Sequence, residues 1–132
     1  MSKAELFITQ LLTKASIQFV QEYKITDLRA GLYRFDFYLP KLKVFIEYNG
    51  SQHYIYTSHF YKSKSDFLKA QERDRRKISY CLAREIPLYI IPYWDLDTIH
   101  SYKDLFRDSY LARSKFHNDE AYRSHFSKDI TR

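Results

Sequence analysis

Two aromatic runs, residues 32–39 and 43–49, each place one acid in the middle of an otherwise apolar strand pattern, and only Pro40, Lys41 and Leu42 separate them. Tyr, Phe, Val and Ile dominate both runs, as strands favour, and Pro40 and Gly50 punctuate their ends. So short a connection predicts an antiparallel hairpin, in which Asp36 and Glu47 share one face of adjacent strands. An unpaired carboxylate in an apolar sheet is costly, so each acid needs a cation, a metal or a wet cleft. Two close carboxylates repel unless a proton or divalent ion sits between them, and Mg²⁺ takes such oxygen ligands while keeping waters for chemistry. The pattern therefore suits phosphodiester hydrolysis. The plainer alternative pairs Asp36 with Arg34 or Lys43 at an exposed edge.

The rest of the chain sets the frame. A length of 132 residues supports one domain, with a core at about 3–94 and a helical extension at about 95–132. Hydrophobic residues make up 45% and charged residues 29%, which excludes disordered and fibrous classes. The single cysteine, Cys81, rules out an internal disulfide and has no partner with zinc spacing. Met1 to Glu5 lack an apolar signal core, and the apolar stretch at 86–94 is short and holds two prolines. A soluble, cytoplasmic protein is expected. A net charge of +6 makes nucleic acid the first partner to consider, with no membrane partner.

Along the chain, Ser2 and Glu5 have capping-box spacing ahead of a helix at 3–15, and residues 17–25 alternate as a strand. After the hairpin comes a polar, aromatic loop at 51–64. Residues 65–85 lack Gly and Pro and read as a long helix, and 88–91 as a short buried strand stopped by Pro92. Ser101 and Asn118 precede apolar positions that suggest two or more short helices in the remainder.

Further residues bear on chemistry. Asn49 lies on the face of Glu47 by strand alternation, and Gln52 and His53 follow on the turn after Gly50. The inward stripe of the long helix runs from Phe67 and Ala70 through Asp74 and Lys77 to Ile78, Cys81 and Leu82, so polar groups interrupt its apolar face. Lys77 either projects to the hairpin acids, where it would stabilise phosphate charge, or forms an i,i+3 pair with Asp74. Arg73, Arg75 and Arg76 face a nucleic-acid backbone or solvent. Glu5 is a helix-cap partner or a metal ligand, and Glu22 an outside candidate.

The segment Phe35-Asp36-Phe37-Tyr38-Leu39-Pro40 followed by Ile46-Glu47-Tyr48-Asn49-Gly50-Ser51-Gln52-His53-Tyr54 resembles the core of the PD-(D/E)XK nuclease superfamily, especially its small Vsr-like group of phage and mobile-element endonucleases. The resemblance covers residues 5–93, including Asp74-Arg75-Arg76-Lys77-Ile78-Ser79-Tyr80-Cys81. It implies an αβββαβ restriction-endonuclease-like core, with Asp36 and Glu47 as Mg²⁺ ligands, Glu5 as an auxiliary ligand and Gln52 in the active-site turn. Asn49 stands where that superfamily usually has lysine, so Lys77 and Gln52 are the replacement candidates.

These readings predict a Mg²⁺-dependent DNA endonuclease, with Mn²⁺ able to substitute. A monomer would nick, and cutting both strands would need a homodimer or two successive events. Two rivals remain open: a catalytically inactive DNA-binding module, and an RNA or structure-specific nuclease that stacks bases on Tyr54, Tyr56, Phe60 and Tyr61.

Overall fold

The computed structural model describes residues 1–27 and 31–127. Helix α1 (Lys3–Lys14) starts where Ser2 accepts the Glu5 backbone N–H at 3.1 Å and donates to the Glu5 carboxylate at 3.3 Å. It ends as the amides of Ser16 and Ile17 fold back onto the carbonyls of Thr13 and Leu12. Ser16 takes a positive φ of 58° in that turn. The first strand, expected from residue 17, therefore begins three residues later, as β1 (Val20–Asp27).

The hairpin is formed by β2 (Gly31–Leu39) and β3 (Val44–Asn49), antiparallel as expected. A 3₁₀ turn, Ser51–His53, leads through the loop to α2 (Lys64–Ala83), which Ser63 caps by accepting the Asp66 N–H. The chain then crosses to β4 (Leu88–Pro92), parallel to β3, the connection that a helical crossover permits. Strand order is β1-β2-β3-β4. The extension holds 3₁₀ segments at Tyr93–Thr98, Tyr102–Phe106 and Asp108–Tyr110, then α3 (His117–Phe126). Ser101 forms a capping box with Asp104, whereas Asn118 sits inside the first turn of α3 rather than capping it. Ala112 donates to the Leu88 carbonyl at 2.9 Å, covering the outer edge of β4.

Each face of the sheet carries its own core. On one, Ile8 and Leu12 of α1 pack on Phe37, Leu39, Val44, Ile46 and Ile91 with Leu105 and Tyr110. On the other, Ile78 and Cys81 of α2 pack on Phe35, Phe45, Leu88 and Ile90. The apolar stripe of α2 stops at Cys81, and Leu82, expected to face inward, is exposed.

One irregularity positions the site. Residues two apart on a strand share a face, yet Phe37 belongs to the α1 core while Phe35 stacks on Phe45 in the α2 core, with ring centroids 4.0 Å apart. Strand β2 turns over at Asp36. The β1–β2 pairing skips the same point, matching Gln21 to Phe37 and Tyr23 to Phe35, and the skipped Glu22 has a φ of 50°. Both strands turn together, so their register is kept on either side.

Candidate functional site

The β2–β3 register pairs Phe37 with Ile46, Tyr38 with Phe45 and Leu39 with Val44. Carried one step further, it sets Asp36 opposite Glu47. There the backbone ladder ends and the Asp36 side chain takes over: its Oδ2 accepts the Tyr48 backbone N–H at 2.8 Å. The alternative pairing of Asp36 with Arg34 or Lys43 is not formed; Arg34 pairs across to Lys24 in the β1 ladder, and Lys43 lies in the hairpin turn with a φ of 57°.

Glu47 is 7% exposed, on the α2 face. Burial pushes its carboxyl well above the usual carboxylate range; the neighbouring Asp36 pushes the same way, and Lys77 opposes both. Lys77 reaches across from α2 to form an ion pair with Glu47 Oε1, and its Nζ lies 4.8 Å from the centre of the Phe35 ring. The i,i+3 partnership of Asp74 with Lys77 gives way to two cross-element contacts, because Asp74 Oδ2 lies 2.8 Å from Nδ1 of His53. A carboxylate oxygen only accepts, so in this contact His53 donates through Nδ1 to Asp74.

A small cleft collects Glu47, Asn49, His53, Asp74, Lys77 and Asn118. Asn49, 4% exposed, follows Glu47 on the same face, where alternation puts it. Asn118 is the member that sequence reasoning missed: it lies 41 positions beyond Lys77, and only the docking of α3 brings it in. No local pattern in the sequence signals that contact.

Other expected residues stand elsewhere. Glu5 serves the N-cap of α1, its carboxylate accepting from the Ser2 hydroxyl at 3.3 Å, and among the described residues no three His, Cys, Asp or Glu side chains converge as a metal-binding group, so Glu5 is not brought to the strand acids. Glu22 marks the turnover of β1. Gln52 folds back on its own turn: a Cβ on Gly50 would lie 2.4 Å from its Oε1, so only glycine leaves this amide in place. Arg75 does not face outward freely, because its guanidinium grips Asp119 of α3 at 3.2 to 3.3 Å. Arg73 and Arg76 are exposed, with Arg76 3.8 Å from Glu72. Of the aromatic rim, Tyr54 is only 8% exposed, and Tyr61 donates to the Gln52 carbonyl while packing on Phe67. Tyr56 also packs on Phe67, and both Tyr56 and Phe60 are exposed. Among the described residues no helix is long and apolar enough to cross a membrane.

Relatives of this chain are found among viral proteins. It is 45% identical over 58 residues to uncharacterized protein 307L of Invertebrate iridescent virus 6, a match covering 44% of this chain and 29% of the viral one. Over 59 residues it is 44% identical to uncharacterized protein 094L of Frog virus 3, covering 44% and 38%. Uncharacterized protein 033L of Invertebrate iridescent virus 3 is 33% identical over 58 residues, covering 44% and 30%. The chain thus matches about a third of the length of these curated relatives. No family model matches the chain, and no solved structure does.

Proposed function

We propose that this protein is a Mg²⁺-dependent DNA endonuclease built on a restriction-endonuclease-like core. The observation that supports the reading is the meeting of Asp36, Glu47 and Lys77: two neighbouring acids on adjacent strands, and a lysine from the next helix paired with one of them, which would serve in the role of an E-x-K lysine. The element order α1-β1-β2-β3-α2-β4 agrees with that core.

The donor set fits a hard divalent cation. Glu47 and Asn49 line the cleft with a carboxylate and an amide oxygen, and Asp36, hydrogen-bonded to Glu47, adds a second carboxylate beside it, the ligand chemistry Mg²⁺ prefers when it keeps several waters. The burial that holds Glu47 towards its neutral form is also relieved by a divalent charge. Bound there, Mg²⁺ would activate water and shield charge on the scissile phosphate.

The chain's own residues do the remaining work. Lys77 compensates Glu47 and presents its ammonium in the cleft, where a phosphate oxygen gains charge in the transition state. Asp74 orients His53 so that Nε2 can take up or return a proton. Exposed Arg73 and Arg76 on α2 supply cations for a phosphate backbone.

Incubating the protein with supercoiled plasmid and Mg²⁺ or Mn²⁺ should produce nicked or linear product, and Asp36→Ala and Glu47→Ala should abolish it. Absence of cleavage, or unchanged cleavage by Asp36→Ala, refutes the proposal. The non-catalytic DNA-binding reading rests on Asn49 standing in the strand position of the usual lysine; it predicts salt-sensitive duplex binding with no cleavage under either ion.

A further inference from the structure

Helix α3 is held to the body differently from α1 and α2. Among the described residues it has no buried position, whereas α1 buries Ile8 and Leu12 and α2 buries Ile78 and Cys81. Ser2 and Ser63 cap those two helices with their side chains, but Phe116, at the N-cap of α3, offers none. A cavity of about 400 Å³ runs along each of two faces of α3, one lined by His117, Ala121 and Ser124, the other by Asp119, Tyr122 and Arg123. Its first turn nevertheless covers the reactive cleft. Asn118 lines that cleft with Glu47 and Lys77, and the space left there is about 20 Å³. One buried water needs roughly 10–15 Å³, so the cleft as it stands has no room for a phosphodiester. Closure also leaves the Asn118 Oδ1 buried without a hydrogen-bond partner, a cost that water would relieve.

Arg75 holds this arrangement shut. Its guanidinium grips the Asp119 carboxylate through Nε and a terminal nitrogen at 3.2 to 3.3 Å and lies 5.7 Å from the centre of the Phe116 ring. The same planar fork suits a phosphate, so Asp119 occupies a place that a nucleic-acid backbone can claim. Resting on the endonuclease reading, we propose that α3 is an autoinhibitory lid over the Glu47–Lys77 cleft, latched by Arg75 and Asp119 and opened by a backbone phosphate that takes Arg75 away from Asp119. Opening makes room for the scissile phosphate, returns Asn118 to water and adds Arg75 to the exposed cations Arg73 and Arg76 on α2. Tyr122 on Tyr54 and His125 on Trp94 keep the closed form as the resting one.

The test reads hydrogen exchange of the full chain in EDTA, with and without a short DNA duplex, and plasmid nicking in Mg²⁺. The duplex should quicken exchange along His117–Phe126 and leave Ile78 and Cys81 unchanged. Asp119→Asn should quicken the same amides about two- to fivefold without duplex, the worth of a partly exposed ion pair, and raise nicking by a similar factor. Arg75→Gln, which leaves the sequence of α3 intact, should quicken exchange to the same degree. Glu72→Gln strips another acid from Arg75, 3.5 Å away on α2 itself, and sets the effect of charge alone on nicking. Exchange in α3 unmoved by the duplex, or unmoved by Arg75→Gln, overturns the lid. In a protein that nicks, Asp119→Asn acting no faster than Glu72→Gln overturns it as well, and the endonuclease reading survives. Quickened exchange with no nicking by any form leaves the lid standing and overturns the endonuclease reading.

Discussion

Lys77 and Glu47, separated by 30 positions, form an ion pair in which both side chains are largely buried, at 16% and 10% exposure. Each depends on the other. Without Lys77, Glu47 would keep only Asp36 as a near charge, and of the same sign. Removing one member of such a pair typically costs 3–5 kcal/mol, because the survivor is left charged and unpaired.

Lys77→Met should therefore lower unfolding free energy by roughly 3 kcal/mol at pH 8. The loss should be smaller at pH 5, where Glu47 escapes by taking up a proton. The double variant Lys77→Met/Glu47→Gln should regain most of the loss, since no buried charge remains. Urea denaturation at the two pH values measures all three; an equal loss at both, with no recovery in the double variant, would show that the pair is not the cause.

The pH dependence of the metal-free protein follows from Glu47. Its folded pKa lies above the unfolded value of 4.5, so between the two the folded state holds the extra proton. This contribution is fully favourable below pH 4.5 and declines as pH rises through the folded value. Glu47→Gln should flatten that decline in a series of thermal melts. Mg²⁺, if held by Glu47, should raise the melting temperature more at pH 8 than at pH 5, and should do so little in Glu47→Gln.

Asp36 has two duties that substitution separates. Asp36→Asn keeps an oxygen for the Tyr48 N–H and should change stability by less than about 1 kcal/mol, whereas Asp36→Ala strands that amide and should cost about 1–3 kcal/mol. Both should lose cleavage, because neither retains the negative charge. Cleavage by Asp36→Asn at the wild-type rate would remove the carboxylate from the chemistry.

Helix α3 is fastened by the Arg75–Asp119 pair and by rings, including Trp94 stacked on His125 at 4.8 Å and Tyr54 on Tyr122 at 5.8 Å. The ion pair is partly exposed, so Arg75→Ala should cost less than about 1 kcal/mol globally. Hydrogen exchange should quicken along His117–Phe126 and stay unchanged around Ile78 and Cys81. Uniform quickening would mean that α3 does not open by itself.

Cys81 is buried against the sheet, and burial pushes its thiol up to about 12. It should resist a thiol reagent at pH 8 in the folded protein and react fully in denaturant. Rapid labelling of the native protein would show that the α2 core is loose.

Much of this molecule is written locally. Ser2 and Glu5 announce the start of α1, Pro40 and Gly50 mark the ends of the hairpin strands, and the absence of Gly and Pro from 65 to 85 announces α2. The Lys77 contact was half legible: the interrupted stripe of α2 left it open between the hairpin acids and an i,i+3 pair with Asp74, and the fold pairs it with Glu47. The turnover at Glu22 and Asp36 was not legible. Alternation along 32–39 gives Phe35 and Phe37 the same face, and only the twist of two paired strands sends them to opposite cores.

The sequence by itself determined the elements, their order and the pairing of Asp36 with Glu47, because capping, strand propensity and hairpin register act over a few neighbouring residues. Tertiary structure decided which polar groups share the cleft. Asn118 enters it because α3 docks through Trp94, Tyr54 and Arg75, while the cap at Ser2 occupies Glu5. Those contacts join residues far apart in the chain, and their energies depend on burial and distance, which no local pattern encodes.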